Sequence, residues 1–154
     1  GSYTGLRVGL ALAKGLALAH NLPLVGVPTL DIVARSVCRL ETDLVVVAQA
    51  GRTRVWAGQY QWVAKRGWER VGEPMLTNWE ELAARLALPI AFAGEIDANT
   101  AKLIRRANRA AVIAPPAESV RRAAVLAEIG WWRWKRKQTD PADNLAPLYL
   151  REPG

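Results

Sequence analysis

The segment 5–20 is almost entirely apolar, and it constrains the fold more than any other part of the sequence. Small residues recur within it at every fourth position, at Gly5, Gly9, Ala13 and Ala17. Residues four apart lie on one side of an α-helix, so the spacing predicts a helix over 5–20 with a strip of minimal side chains. Each interior glycine costs about 1 kcal/mol relative to alanine, and close packing against another backbone would offset that cost.

Only two charged residues, Arg7 and Lys14, interrupt this segment, and their spacing of seven puts them on one face of the helix. A helix this apolar can face water along a narrow stripe alone, so we interpret it as a contact helix that is covered on two or more sides. The two charges either face a partner or form the exposed stripe of a buried helix. The residues predicted to bind a partner are Gly5, Arg7, Gly9, Leu10, Ala13, Lys14 and Ala17.

The rest of the chain alternates strand-like and helix-like patterns. The predicted elements are a strand at 22–27, a helix at 30–40, antiparallel strands at 44–50, 54–63 and 68–76 with a two-residue turn at Gly51-Arg52, a helix at 78–87, a strand at 89–93, a helix at 97–108, a strand at 111–114 and a helix at 117–135. This order predicts an α/β fold, a mixed sheet with helices on its faces. We expect 1–35 to close an incomplete first domain, 36–137 to form a second domain, and 138–154 to be an extended tail that packs back on the body.

Composition narrows the possible functions. The 154 residues are 51% hydrophobic and 23% charged, which excludes the disordered and collagen-like classes. One cysteine and one histidine permit neither an internal disulfide nor a Cys/His zinc site, so we predict no metal and no cofactor. We expect His20 to end the first helix and Cys38 to lie on the inner face of the second helix with Val33 and Val37. The apolar runs are too short to span a bilayer, and no catalytic residue is predicted.

The net charge of +7 is concentrated near the end of the chain, where 102–137 contains ten basic and two acidic residues. Such an excess indicates an acidic partner, such as RNA or an acidic protein face, or else the solvated faces of two helices. Within it the sequence WWRWKRK at 131–137 interleaves rings with cations, and the possible RNA contacts are Arg133, Lys135, Arg136 and Lys137. Alternatively, Trp131 and Trp134, three residues apart, cover the sheet or the tail.

Four stretches in order along the chain resemble the TsaB (YeaZ) family. The opening GSYTGLRVG is similar to its G-S-[FY]-T-G-[LV]-R-x-G motif, and PLVGVPTL at 23–30 is similar to P-[LM]-[VI]-G-V-S-T-L. The stretch VWAGQY at 55–60 and the closing PLYLR at 147–151 also match the family pattern. Besides the helix, the motif residues are Gly1, Ser2, Tyr3, Thr4, Pro147, Tyr149 and Arg151.

The resemblance implies two domains of the actin/Hsp70/sugar-kinase (ribonuclease H-like) type, the first of them incomplete because the family's opening strand is not in this sequence. It also implies a cytoplasmic, non-catalytic protein. Such proteins pair with TsaD and the ATPase TsaE to make N6-threonylcarbamoyladenosine next to the anticodon of tRNAs that read codons beginning with A.

In that family the helix after the motif, here 5–20, forms homodimers and the TsaD heterodimer, and tRNA is reached through TsaD. A membrane is not expected. The alternatives are a residual peptidase or hydrolase of the glycoprotease type, and a basic RNA-binding module.

Overall fold

The structure, a computed structural model, describes residues 3–85 and 89–147, with the backbone alone at Tyr3. The described residues form two compact units, one of 3–28 with 126–147 and the other of 29–125. The helices and strands are α1 (Tyr3–His20), α2 (Thr29–Ser36), β1 (Asp43–Ala50), β2 (Arg54–Val63), β3 (Gly67–Asn78), α3 (Trp79–Arg85), β4 (Ile90–Gly94), α4 (Ala98–Ala107), β5 (Val112–Ile113) and α5 (Ala123–Lys135). A single turn of 3-10 helix, Pro116–Glu118, precedes α5.

The unit 29–125 is built on one five-stranded sheet in the order β3-β2-β1-β4-β5. The first three strands form an antiparallel meander, while β4 pairs in parallel with β1 and β5 pairs in parallel with β4. This mixed order is that of the actin/ribonuclease H-like fold. The predicted fold class, an α/β mixed sheet with helices, is confirmed.

Helices cover both faces of the sheet, and each face has its own core. On one face α2 contributes Leu30, Val33 and Ala34 to a cluster that includes Leu44 and Val46 of β1. On the other face Leu82 of α3 and Ile104 of α4 pack with Val45 and Val47 of β1. Because β1 is buried on both sides, its sequence is a continuous apolar run rather than an alternating one.

Each of the two turns of the meander has three residues, whereas the sequence predicts two residues for the first turn. Ala50 pairs with Arg54, so the β1–β2 turn has three residues and the predicted two-residue turn at Gly51-Arg52 is wrong. Gly51 has a φ of +87°, which glycine adopts without the steric cost that a side chain would add. Lys65 in the β2–β3 turn and Gly67 at the start of β3 also have positive φ angles.

Three predicted elements are wrong in extent. The predicted strand 22–27 is reduced to one isolated bridge between Leu24 and Asp140, because Pro23 has no amide hydrogen to donate to a ladder. The predicted helix 30–40 ends at Ser36, and the carbonyl oxygen of Val37 accepts from the Trp68 indole instead.

The predicted helix 117–135 begins at Ala123, because Glu118 and Ser119 are held by other elements. The Glu118 carboxylate accepts from the Cys38 amide, and the Ser119 hydroxyl accepts from the amide of Gly94 at the end of β4.

Cys38 lies beyond the end of α2 and is exposed, so its predicted place on the inner face of that helix is wrong. The helix α2, which the sequence grouped with 1–35, packs on the sheet of the unit 29–125. The assignment of 1–35 to a separate first domain and of 138–154 to a tail stays a prediction.

Candidate partner-binding surface on the first helix

The helix α1 begins at Tyr3, two residues before its predicted start, and ends at His20 as predicted. Thr4 therefore lies inside the helix and does not cap it. Asn21 follows with a φ of +51°, and the Leu22 amide donates to the Ala17 carbonyl oxygen at 2.8 Å. The Asn21 amide donates to the Leu18 carbonyl oxygen, and these two bonds form a Schellman motif that closes the helix.

One side of α1 is less exposed than the other. Ala17 is buried, and Leu10, Ala13 and Lys14 are half-buried. The small residues lie on one side of the helix as predicted, but they differ in exposure along it. The carboxyl-terminal half of the strip turns toward the less exposed side, whereas Gly5 and Gly9 are exposed.

The exposed half of the strip has leucines on both sides. Leu6, Leu12 and Leu16 are 51%, 63% and 53% exposed, although leucine side chains usually avoid water. A Cβ atom added at Gly9 would meet no other atom within 4 Å. We call the surface formed by Gly5, Leu6, Gly9, Leu12 and Leu16 the glycine face.

The two charged residues of α1 do not border the glycine face. Successive helical residues are about 100° apart, so Arg7 and Lys14 point to nearly the opposite side from Gly9. Arg7 is exposed, and Lys14 is half-buried. A single flat partner could therefore contact the glycine face or the two charges, but not both.

The predicted RNA contacts on α5 fall into two groups. Arg133 is half-buried, and its Nη1 donates to the carbonyl oxygen of Gly26 at 2.8 Å. Lys135, Arg136 and Lys137 are exposed. The Nζ atom of Lys135 lies 5.0 Å from the ring centroid of Trp131 and 5.7 Å from that of Trp134.

The alternative prediction was that Trp131 and Trp134 cover the sheet or the tail, which would remove both rings from water. The structure instead leaves the tryptophans of α5 exposed. Trp131, Trp132 and Trp134 are 53%, 51% and 43% exposed. The rings of Trp131 and Trp134 contact each other, with centroids 4.8 Å apart and planes tilted by 46°. They therefore pack mainly on one another and leave large apolar surfaces open.

The sequence did not predict that two side chains would bind the backbone of Gly26, an arrangement that we call the clamp around Gly26. The Asp140 carboxylate accepts from the Gly26 amide at 2.7 Å, while Arg133 donates to the carbonyl oxygen of the same residue. The Leu145 side chain fills the space where a Cβ atom of residue 26 would lie. The one signal in the sequence is the glycine within PLVGVP at 23–28, because a residue without a side chain lets another atom come close to its backbone.

A second cluster of polar side chains, Tyr60, Asp31 and Arg70, lies within the unit 29–125. The Tyr60 hydroxyl donates to Oδ1 of Asp31 at 2.8 Å, and Nη1 of Arg70 lies 4.0 Å from the same oxygen. Burial, and secondly the Asp31 carboxylate, raise the pKa of Tyr60 far above its ordinary value. The phenol is thus a hydrogen-bond donor, and this arrangement joins β2 to the first turn of α2.

The residues that a hydrolase would need are dispersed. His20 is exposed at the end of α1, and Cys38 is exposed after α2. Within 3–85 and 89–147 no three His, Cys, Asp or Glu residues are grouped so that they could hold a metal ion. In the same part of the chain no helix has the length and apolarity to cross a membrane.

Of the remaining motif residues Pro147 is half-buried, and Gly1, Ser2, Tyr149 and Arg151 lie outside the described residues.

The sheet order defines an α/β protein of the actin/ribonuclease H-like class, and its first helix carries an exposed apolar face. A family model described as "TsaD: tRNA N6-adenosine threonylcarbamoyltransferase" matches residues 1–99. The chain belongs to this family and, within it, to the TsaB (YeaZ) group.

Two curated relatives carry the name tRNA threonylcarbamoyladenosine biosynthesis protein TsaB. The Bacillus subtilis protein is 30% identical over 156 residues, which cover 98% of this chain and 66% of that protein. The Escherichia coli protein is 38% identical over 63 residues, or 40% of this chain and 27% of that protein. The chain thus spans slightly less than two thirds of the length of the first relative and about a quarter of the second.

Two solved structures from Pseudomonas aeruginosa have the same fold. One is described as an uncharacterized protein with similarity to peptidase YeaZ, with a TM-score of 0.70, 24% identity, and coverage of 98% of this chain and 69% of that one. The other is YeaZ itself, with a TM-score of 0.71, 23% identity, and coverage of 97% and 70%.

Proposed function

We propose that this protein is a non-catalytic partner of a TsaD-like protein in the formation of N6-threonylcarbamoyladenosine in tRNA. The names of its curated relatives support a role in this modification, and the match to a TsaD family model supports a partner of the same ancestry. Action next to the anticodon of tRNAs that read codons beginning with A, cooperation with a TsaE-like ATPase, and a cytoplasmic location belong to the same proposal.

The observation that carries the proposal is the exposure of the glycine face. Each of its three leucines would contribute roughly 1.5–3 kcal/mol if a partner removed it fully from water. The open space at Gly9 would let the backbone of a partner helix come close, which increases the number of van der Waals contacts along the whole helix. A long helix with small residues at its centre and leucines around them therefore fits a second helix.

A paralogue is the occupant that we favour for this face. Two proteins of one fold can present corresponding helices to each other, and a self-complementary pairing of this kind also permits a homodimer. Because both pairings would use the glycine face, homodimer and heterodimer are expected to exclude each other. Excess TsaD-like partner should then convert the homodimer into the heterodimer.

The test replaces Gly9 by leucine in the natural full-length protein and measures binding to its own TsaD-like partner by co-elution and titration calorimetry. A Cβ added at this position meets no atom within 4 Å and leucine has a higher helix propensity than glycine, so we expect the fold to be unaffected. We expect at least a tenfold loss of affinity. Leu16→Glu, on the same face, should have the same effect because it would bury a charge in the interface.

Gly15→Leu is the matched control. An added Cβ at Gly15 also meets nothing within 4 Å, but six residues along the helix turn this position about 120° away from Gly9. Normal binding by Gly15→Leu together with weak binding by Gly9→Leu would support docking on the glycine face. Normal binding by Gly9→Leu and Leu16→Glu would contradict it.

A further inference from the structure

We propose that the exposed tryptophan surface of α5 binds single-stranded RNA directly, with the rings stacking on bases and the following cations contacting phosphates. This surface, which we call the tryptophan platform, consists of Trp131, Trp132, Trp134, Lys135, Arg136 and Lys137. The choice of RNA rather than another polyanion rests on the proposed function in tRNA modification. The platform itself stands on exposure, ring geometry and charge.

The aromatic part of the argument concerns where the rings face. Trp132 is half exposed, and the described part of the chain offers its ring no aromatic or cationic neighbour. Trp131 and Trp134 support each other and are capped by Lys135, which holds them as a preformed pair. Exposed, prearranged indole faces are the element that single-stranded nucleic-acid sites use to stack bases without reading sequence.

The electrostatic part concerns the last turn of α5 and the residues after it. Lys135, Arg136 and Lys137 are exposed, and none of them has a carboxylate partner among the described residues. Three adjacent cations outweigh the partial negative charge at the carboxyl end of a helix. A phosphate backbone that passes these cations would leave its bases beside the indole rings one turn earlier.

Arg133 is not part of the platform, although the sequence groups it with the other cations. Its guanidinium is half-buried and donates to the Gly26 carbonyl oxygen. Replacing it would disturb the loop around Gly26 rather than remove a phosphate contact. The structure therefore separates the cations of the WWRWKRK sequence into one that holds the fold and three that are available to a ligand.

The experiment measures the anisotropy of a fluorescein-labelled single-stranded RNA, roughly 12 nucleotides long, titrated with the natural full-length protein at several salt concentrations. Trp132→Ala should weaken binding about tenfold, with little change in salt dependence, because it removes stacking but no charge. Replacing Lys135, Arg136 and Lys137 together by Glu should weaken binding roughly a hundredfold at low salt. It should also flatten the slope of log K against log salt by about two, since three phosphate contacts are lost.

The charge-matched control replaces Lys102, Arg106 and Arg109 by Glu, which makes the same change in net charge on and after α4. If this variant loses RNA binding as strongly as the platform variant does, RNA affinity depends on the net charge of the protein and not on the platform, and the proposal is refuted. Unchanged RNA affinity in Trp132→Ala and Trp131→Ala would likewise refute it.

The same variants are tested for co-elution with the TsaD-like partner. Normal co-elution with weakened RNA binding supports the platform and leaves the glycine face intact. Weakened co-elution with unchanged RNA binding would make the tryptophans a protein contact and overturn the proposal. Loss of co-elution in Gly9→Leu does not bear on RNA binding by the protein alone, so the two proposals fail separately.

Discussion

The hydroxyl of Tyr60 donates a hydrogen bond to Oδ1 of Asp31 over 2.8 Å, and this bond joins the middle of β2 to the first turn of α2. Tyr60 is among the most buried large side chains, and Nη1 of Arg70 of β3 lies 4.0 Å from the same oxygen of Asp31. This polar contact joins α2 to the antiparallel half of the sheet, in addition to the apolar packing of Leu30, Val33 and Ala34.

Tyr60→Phe is expected to lower the free energy of unfolding by about 2 kcal/mol, the contribution of a buried hydrogen bond to a charged acceptor. Urea denaturation of Tyr60→Phe, Asp31→Asn and the double variant measures the coupling between the two residues. Since Asn retains an acceptor oxygen, Asp31→Asn alone should cost less. Strictly additive effects would mean that the two side chains do not stabilise each other.

Stability should also depend on pH through Tyr60. Burial and the Asp31 carboxylate raise the pKa of its phenol from an ordinary 10.0, so the folded protein holds the proton that the unfolded chain releases. The resulting stabilisation is complete below about pH 10 and is lost as the pH rises above that value. Between pH 9 and 11 the stability difference between wild type and Tyr60→Phe should therefore narrow. Parallel curves would show that the phenol titrates alike in both states.

Gly94, the last residue of β4, should tolerate no side chain. Its φ is +111°, and an added Cβ would overlap the carbonyl oxygen of Val47. We expect Gly94→Ala to cost about 3 kcal/mol or more, because backbone of the central strand must move. Gly51→Ala is the matched control, with a similar φ of +87° but open space around the added carbon. It should cost about 1–2 kcal/mol, and equal losses in the two variants would contradict a steric origin.

The clamp around Gly26 predicts local rather than global effects. Asp140→Ala removes the acceptor of the Gly26 amide, so hydrogen exchange at that amide should become roughly fivefold faster, which corresponds to about 1 kcal/mol. Amides in the sheet should exchange as in the wild type. Asp140→Asn keeps an acceptor oxygen and should exchange more slowly than Asp140→Ala. Equal rates in wild type and Asp140→Ala would mean that the carboxylate does not protect this amide.

Features that depend on near neighbours in the sequence were predicted well. The predicted helix at 97–108 begins where Asp97 caps α4 by accepting from the Thr100 amide at 2.7 Å, and this bond lowers the pKa of the Asp97 carboxyl. Asn78 accepts from the Glu81 amide and caps α3 in the same way. Both bonds span three residues, so the residue types within one helical turn are sufficient to predict them.

Features that depend on distant partners were not predictable. The segment 22–27 has the composition of a buried strand, but which backbone lies beside it is decided at Asp140, more than a hundred residues away. The late start of α5 is likewise decided by bonds from Cys38 and Gly94 to Glu118 and Ser119.

For the candidate surface, the spacing of Gly5, Gly9, Ala13 and Ala17 determined by itself that these residues share one side of a helix, because helical periodicity is a local property. The same sequence determined the mixed sheet through its alternation of strand and helix patterns. Only the tertiary structure decided that Ala17 turns inward while Gly9 and its leucines face solvent, and that Arg133 is half-buried on Gly26 while Lys135 is exposed. Burial and pairing depend on which segments meet in space, and periodicity carries no information about that.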